Sequence, residues 1–318
     1  MGLLTQRIWL GMVVVGMWGA FGPASADPVT LKLQLPEGRM ARYKHTHRFE
    51  YAGDRADLLG FKEINFLSAG TKGEWKSIET VEKPHTDDPN EVIPDDVMGL
   101  STVIQKANSS GIFMDQTLSP GQYQLTFDLL NDRNFIWWIT PKGKVEKFEP
   151  DFTAFKLGRE DLVTDLFLAW AADYSPIFPD HPVDVGDTWT AEVTYERPFG
   201  SYSMMGRSAG STFESTYTVK KIKKKKKGIE VEIKEERRTK KYGAWLEVNP
   251  ASFYLEGDAI GKGEWVFDAT RGLVLSHKMH IFIGNPDVIP TGRKSALPQM
   301  EIETNIFFER KLEKLEKD

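Results

Sequence analysis

From Ala41 the chain alternates without a break. Ala41, Tyr43, His45, His47, Phe49 and Tyr51 are apolar or ring-bearing, and Arg42, Lys44, Thr46, Arg48 and Glu50 between them are polar. Successive side chains of an extended strand point to opposite faces, so a period of two predicts a strand with one buried face. The pattern recurs. Leu31, Leu33 and Leu35 alternate with Lys32 and Gln34, and Trp189, Ala191, Val193 and Tyr195 alternate with Thr190, Glu192 and Thr194. Phe213, Tyr217 and Val219 lead into one hairpin, and Ile229, Val231 and Ile233 lead out of it. Leu273, Leu275, His277, Met279, Ile281 and Ile283 are expected on one face of a long strand, and Met300, Ile302, Thr304, Ile306 and Phe308 on one face of the last. The fold class expected is mainly β (α+β), with antiparallel strands forming curved sheets, a half-barrel or a barrel whose dry face needs a cover.

The strands fall into two similar β units. The turns at Gly38 and Gly186 each precede a strand of the same parity. The run Trp138-Ile139-Thr140-Pro141-Lys142-Gly143-Lys144-Val145 resembles Phe267-Asp268-Ala269-Thr270-Arg271-Gly272-Leu273-Val274, both reading as a strand, a basic-Gly turn and a return strand. The expected plan is a first unit over 27–154 and a second over 178–310, with an insertion in the first at about 84–120, where turn-forming residues cluster. Within that insertion Asp95 can cap a short helix carrying Val97, Leu100 and Ile104. Between the units, 155–177 reads as an amphipathic helix, with Leu162, Leu166 and Trp170 on one stripe. Residues 311–318 read as a charged tail that frays.

Residues 1–26 have the form of a secretory signal. Arg7 precedes an apolar run over 8–21, and Ala24-Ser25-Ala26 offers a cleavage site before Asp27. The expected location is therefore export, to the periplasm or outside the cell, with no membrane-spanning segment after cleavage. The chain has no cysteine, which excludes disulfides, thiolate metal sites and a cysteine nucleophile. A formal net charge of -5 and a pI near 5.8 argue against nucleic acid as a partner.

The segment Pro182-Val183-Asp184-Val185-Gly186-Asp187-Thr188-Trp189, with Gly261 to Asp268 and Gly272-Leu273-Val274-Leu275 downstream, resembles an uncharacterised family of exported bacterial β-rich proteins. In that family, a domain of unknown function, a Pro-Val-x-Val-Gly-Asp-x-Trp turn opens the second half. The resemblance implies a cell-envelope setting and carries no activity. Periplasmic half-barrel lipid carriers are a more distant analogy, of fold alone.

No nucleophile elbow, phosphate loop, zinc-protease helix or calcium loop is present, so no catalytic residue and no cofactor is assigned. The leading expectation is a non-enzymatic envelope protein that binds a lipid or other apolar molecule in a concave sheet. Tyr43, His45, His47, Trp137, Trp138, Trp170, Trp189 and His277 are the candidate lining. Trp137 and Trp138 are adjacent in a strand, so they face opposite sides, and one of them is either exposed, as part of a ligand or partner surface, or covered by another element. A second expectation is the same fold with its interior filled, acting as a structural or interaction module. A third is a metal-dependent hydrolase, should His45, His47 and His277 converge. Lys223, Lys224, Lys225, Lys226 and Lys227 crown a hairpin before Gly228. They serve either as a solvated tip that blocks edge pairing or as a contact for an anionic membrane surface.

Overall fold

A computed structural model describes residues 27–53, 69–85, 90, 92–112, 131–132, 134–150, 174–195, 207–208, 211–241, 243–248, 251–290 and 302–316. Among them the regular structure is β throughout, in one antiparallel sheet. Its strands are β1 (Met40–Gly53), β2 (Ala69–Glu82), β3 (Met98–Ile112), β4 (Asn134–Ile139), β5 (Val145–Pro150), β6 (Thr188–Tyr195) and β7 (Arg207–Ser208). They continue as β8 (Ser211–Lys225), β9 (Gly228–Lys241), β10 (Gly243–Val248), β11 (Ala251–Asp268), β12 (Leu273–Pro290) and β13 (Ile302–Leu315). The order across the sheet is β5-β4-β3-β2-β1-β13-β12-β11-β9-β8-β6, with β10 and β7 to one side. The chain thus starts in the middle, meanders out to β5, resumes at the opposite edge with β6 and meanders back to meet β1. Among the described residues no helix is long and apolar enough to cross a membrane.

The sheet is curled. The Tyr174 ring lies 5.1 Å from Trp137 of β4, and the Phe178 ring lies 4.6 Å from Phe267 of β11. In a flat sheet β4 and β11, six positions apart, would be about 29 Å from each other. Four residues of chain reach only about 14 Å, and Leu100, Ile104 and Trp137 of the first half share one core with Val219, Val231 and Phe267 of the second, so the two halves fold towards each other. β5 and β6 are not paired, so this is a half-barrel and not a closed barrel.

Two extended segments fill one end of it. Val29 and Val183 form an antiparallel bridge, with N–H···O distances of 2.8 and 2.9 Å. Val29, Leu31, Leu33, Tyr174, Phe178 and Val183 pack into one core with Leu100, Ile104, Phe135, Trp137 and Ile139 from the first half and Tyr217, Val219, Val231, Ile233, Trp265 and Phe267 from the second. Each segment also covers a turn of the opposite half. The Phe178 N–H donates to the Lys142 carbonyl at 2.8 Å, and the Gln34 N–H donates to the Gly272 carbonyl at 2.9 Å.

These contacts explain two glycines. Gly143 (φ 87°) and Gly272 (φ 63°) have left-handed backbones, and a Cβ would lie 2.3 Å from the Pro176 oxygen at the first and 2.2 Å from the Gln34 nitrogen at the second. Gly38 has φ 79° but open space around it. Gly272→Ala and Gly143→Ala are each expected to lower stability by about 3 kcal/mol, through backbone strain plus overpacking, and Gly38→Ala by about 1 kcal/mol. Urea unfolding measures this, and equal losses at Gly272 and Gly38 would show that the close approach is unimportant.

Several expectations are corrected. Residues 98–104 form strand and not helix. Leu100 and Ile104 are spaced by four, which satisfies a period of two as well as a helical turn, and both are fully buried on the inner face of β3. Of the helix expected over 155–177, residues 155–173 lie outside the described residues, and 174–177 are not helical. Residues 311–315 do not fray, since β13 runs to Leu315 and pairs with Ala41 of β1. Leu273, Leu275 and His277 do not share one face. A register shift near Leu275 sets Phe267 opposite Val274 but Trp265 opposite His277, so Val274 turns into the core. The expected signal, 1–26, lies outside the described residues.

Candidate functional site

Above the filled end, one level of the inner face carries polar side chains. Trp75 of β2 stands opposite His45 of β1, His45 opposite Arg310 of β13, Arg310 opposite His277 of β12, and His277 opposite Trp265 of β11. The row reads Trp-His-Arg-His-Trp across neighbouring strands and is buried throughout. Each imidazole stacks on its tryptophan: His45 on Trp75 with centroids 5.1 Å apart, and His277 on Trp265 at 3.4 Å.

Two buried ion pairs flank this row. Arg310 donates from Nη2 to both Glu79 oxygens at 2.9 and 2.7 Å, and from Nη1 to the Tyr174 carbonyl at 2.9 Å. Its guanidinium lies 3.9 Å from the Tyr43 ring centre and 4.2 Å from that of Tyr174. In the second half, Arg237 donates to Glu235 at 2.7 Å, Ser215 Oγ donates to the same carboxylate at 2.6 Å, and Trp265 Nε1 donates to its other oxygen at 2.8 Å.

Burial sets the charge states. It holds both imidazoles well below their ordinary 6.5, assisted at His45 by Arg310 and at His277 by Arg237 and Arg310, so both are neutral. Burial pushes Glu79 up, while Arg310 pulls it back. Burial also pushes up the phenols of Tyr43 and Tyr174. Arg310 stays charged: burial works against its proton, but Glu79, Tyr43 and Tyr174 together more than offset that.

The expected lining residues fall in different places. Tyr43 is in the polar layer and donates to the Val274 carbonyl at 3.0 Å. Trp137 is fully buried in the core against Tyr174. Trp138 faces the other side and is buried too, with the Lys147 ammonium 4.5 Å from its ring. Trp189 is half-buried, stacks on Tyr217 and donates from Nε1 to the Ile177 carbonyl at 2.7 Å. The His47 side chain and Trp170 lie outside the described residues.

The hydrolase expectation is corrected by the register. β13 separates β1 from β12, which puts His45 and His277 about 10 Å apart. The Arg310 guanidinium sits between them and would repel a metal cation. Among the described residues no group of three or more His, Cys, Asp or Glu is placed to hold a metal ion.

The lysine hairpin forms as expected, with a turn between β8 and β9. Lys223 pairs with Glu232, Lys224 with Asp27 at 3.1 Å and Lys225 with Glu230 at 2.5 Å. Lys226 and Lys227 at the tip are exposed.

Sequence reasoning missed Glu79, Glu235, Arg237 and Arg310 as inward-facing groups. The signal was available, since each has the parity of its strand's buried residues: Trp75, Ser77 and Glu79 on β2, Val231, Ile233, Glu235 and Arg237 on β9, Phe308 and Arg310 on β13. The Val-Gly-Asp-x-Trp motif also finds a local role. The Asp184 N–H donates to Asp187 Oδ2 at 2.8 Å, which shapes the turn ahead of β6.

No known family description matches the chain, and no curated protein matches it. Six chains of solved structures do match. One, described as "Lipid-protein interactions in lipovitellin", has 9% sequence identity and a TM-score of 0.47 over 89% of this chain, which spans 26% of that protein's length.

Proposed function

We propose that this is an exported, non-enzymatic protein of the cell envelope that holds a lipid or other apolar molecule against the concave face of its half-barrel. The observation that carries this reading is a second apolar cluster above the Trp-His-Arg-His-Trp row, packed around the Arg237–Glu235 pair. Phe213, Ala259, Met279, Ile281 and Phe308 form it, apart from the core that the two extended segments complete. A self-sufficient sheet core needs no ionic layer dividing it. A site that takes an apolar chain above a rigid polar floor accounts for the division. Export rests on the N-terminal pattern and the turn resemblance, and Lys226 and Lys227 at the hairpin tip would face an anionic membrane surface.

A second reading is favoured by the packing below the polar layer, where the chain's own side chains fill the half-barrel. On that reading the protein is a structural or interaction module. One experiment separates the two. Protein purified without detergent is extracted with organic solvent, and the extract is analysed by mass spectrometry. A co-purifying lipid, and displacement of an apolar fluorescent dye by it, are expected. An empty extract with no dye binding would leave the structural reading standing.

A further inference from the structure

Outside the concave face, at the filled end, an open recess of about 530 Å³ lies between the first extended segment and the β11–β12 turn. Gln34, Leu35, Pro36, Arg39, Thr270 and Arg271 line it. Arg39 is only 7% exposed. Its Nη1 donates to the Gln34 and Arg271 carbonyls at 2.7 and 2.8 Å, and its Nε has no partner. Among the described residues it pairs with no carboxylate. Buried charges are ordinarily paired, and a guanidinium held only by neutral carbonyls is not.

Arg271 adds a second guanidinium. Its carboxylate neighbour, Asp268, is 3.8 Å away, and that side chain's Oδ1 already accepts the Thr270 and Arg271 N–H groups at 3.0 Å each. The Thr270 hydroxyl accepts the Ile229 N–H at 2.9 Å, which leaves its own proton free to donate. The corresponding turn of the first half differs, because its basic residue, Lys142, is ion-paired with Asp180. The buried Arg39, held only by carbonyls, thus gives this turn a positive charge that the first half's turn lacks.

We propose that the recess binds a tetrahedral oxyanion of the phosphate class, free or as a lipid headgroup. Guanidinium groups present paired N–H donors that match the edge of such an anion. The two carbonyls already fix Arg39, so little side-chain freedom is lost on binding.

The test is calorimetric titration of the full chain with inorganic phosphate at constant ionic strength. One saturable site is expected, weakened about tenfold in Arg271→Gln and unchanged in Lys142→Gln. Arg271 is partly exposed, so its variant keeps the test open if Arg39→Gln fails to fold. A short-chain phosphatidic acid that displaces phosphate and binds more tightly assigns the site to a headgroup, and one that does not compete assigns it to the free anion. Absence of saturable phosphate binding, or equal weakening by Lys142→Gln, overturns the proposal. Neither outcome bears on the apolar ligand of the concave face.

Discussion

Arg310→Ala is expected to lower the free energy of unfolding by about 3–5 kcal/mol, the range for breaking a buried ion pair from one side. The variant removes the cation from a Glu79 side chain that is only 2% exposed in the native protein, with the Tyr174 hydroxyl at 3.1 Å among its remaining donors. It also removes the cation between the Tyr43 and Tyr174 rings and the donor to the Tyr174 carbonyl. The loss therefore reaches three elements at once: β2, β1 and the segment that fills the half-barrel. The double variant Arg310→Met with Glu79→Leu removes both charges, and it should recover much of the loss. Lys76 and Glu313, paired at 2.7 Å but well exposed, give the comparison: Lys76→Ala should cost less than about 1 kcal/mol. Urea unfolding of the four chains decides the matter. An Arg310→Ala variant no less stable than Lys76→Ala would mean the buried pair is not what holds these elements together.

The second large effect is loss of stability on mild acidification. His45 and His277 are held neutral in the folded protein, well below their ordinary 6.5. In the unfolded chain they take up protons as the pH falls through 6.5, so below that point the unfolded state binds more protons and gains stability. Their contribution is complete above pH 6.5 and declines below it. The two together should remove about 2 kcal/mol between pH 6.5 and 5.5, each approaching 1.4 kcal/mol per pH unit at lower pH. Glu79 acts in the opposite sense: with its carboxyl raised above 4.5, its stabilising contribution is present at low pH and is lost as pH rises through its own range. Denaturant midpoints at pH 7 and 5.5 measure the net change. A His45→Gln, His277→Gln double variant isolates the imidazoles, because Glu79 stays in place. Its stability should vary much less over the same interval. An unchanged pH dependence in that variant would assign the acid sensitivity to other groups.

Some of the site was readable in advance and some was not. The odd face of β1 is buried at Ala41, Tyr43 and His45 as its alternation required. The lysine hairpin turns where Gly228 allows it. The same reasoning failed at Leu275, where one extra residue in a strand reverses every later face. It failed at Leu100 and Ile104, where two periods coincide. Glu235 stands among Glu230, Glu232 and Glu236 in the sequence, yet parity alone places it inside. The inference missed it because an unpaired inward carboxylate looks unfavourable until its partners are known.

By itself the amino-acid order determined which stretches extend, which side of each is dry and where tight turns fall. These are properties of neighbours two to four residues apart, set by pleat geometry and by backbone angles. Only the tertiary structure decided that β13 comes home between β1 and β12, that Arg310 meets a carboxylate 231 residues away, and that two histidines are held apart rather than brought together. A charge within a sheet's dry face is tolerable only when strands distant in the chain deliver its counter-charge, and period-two patterning contains no information about which strand lies next to which.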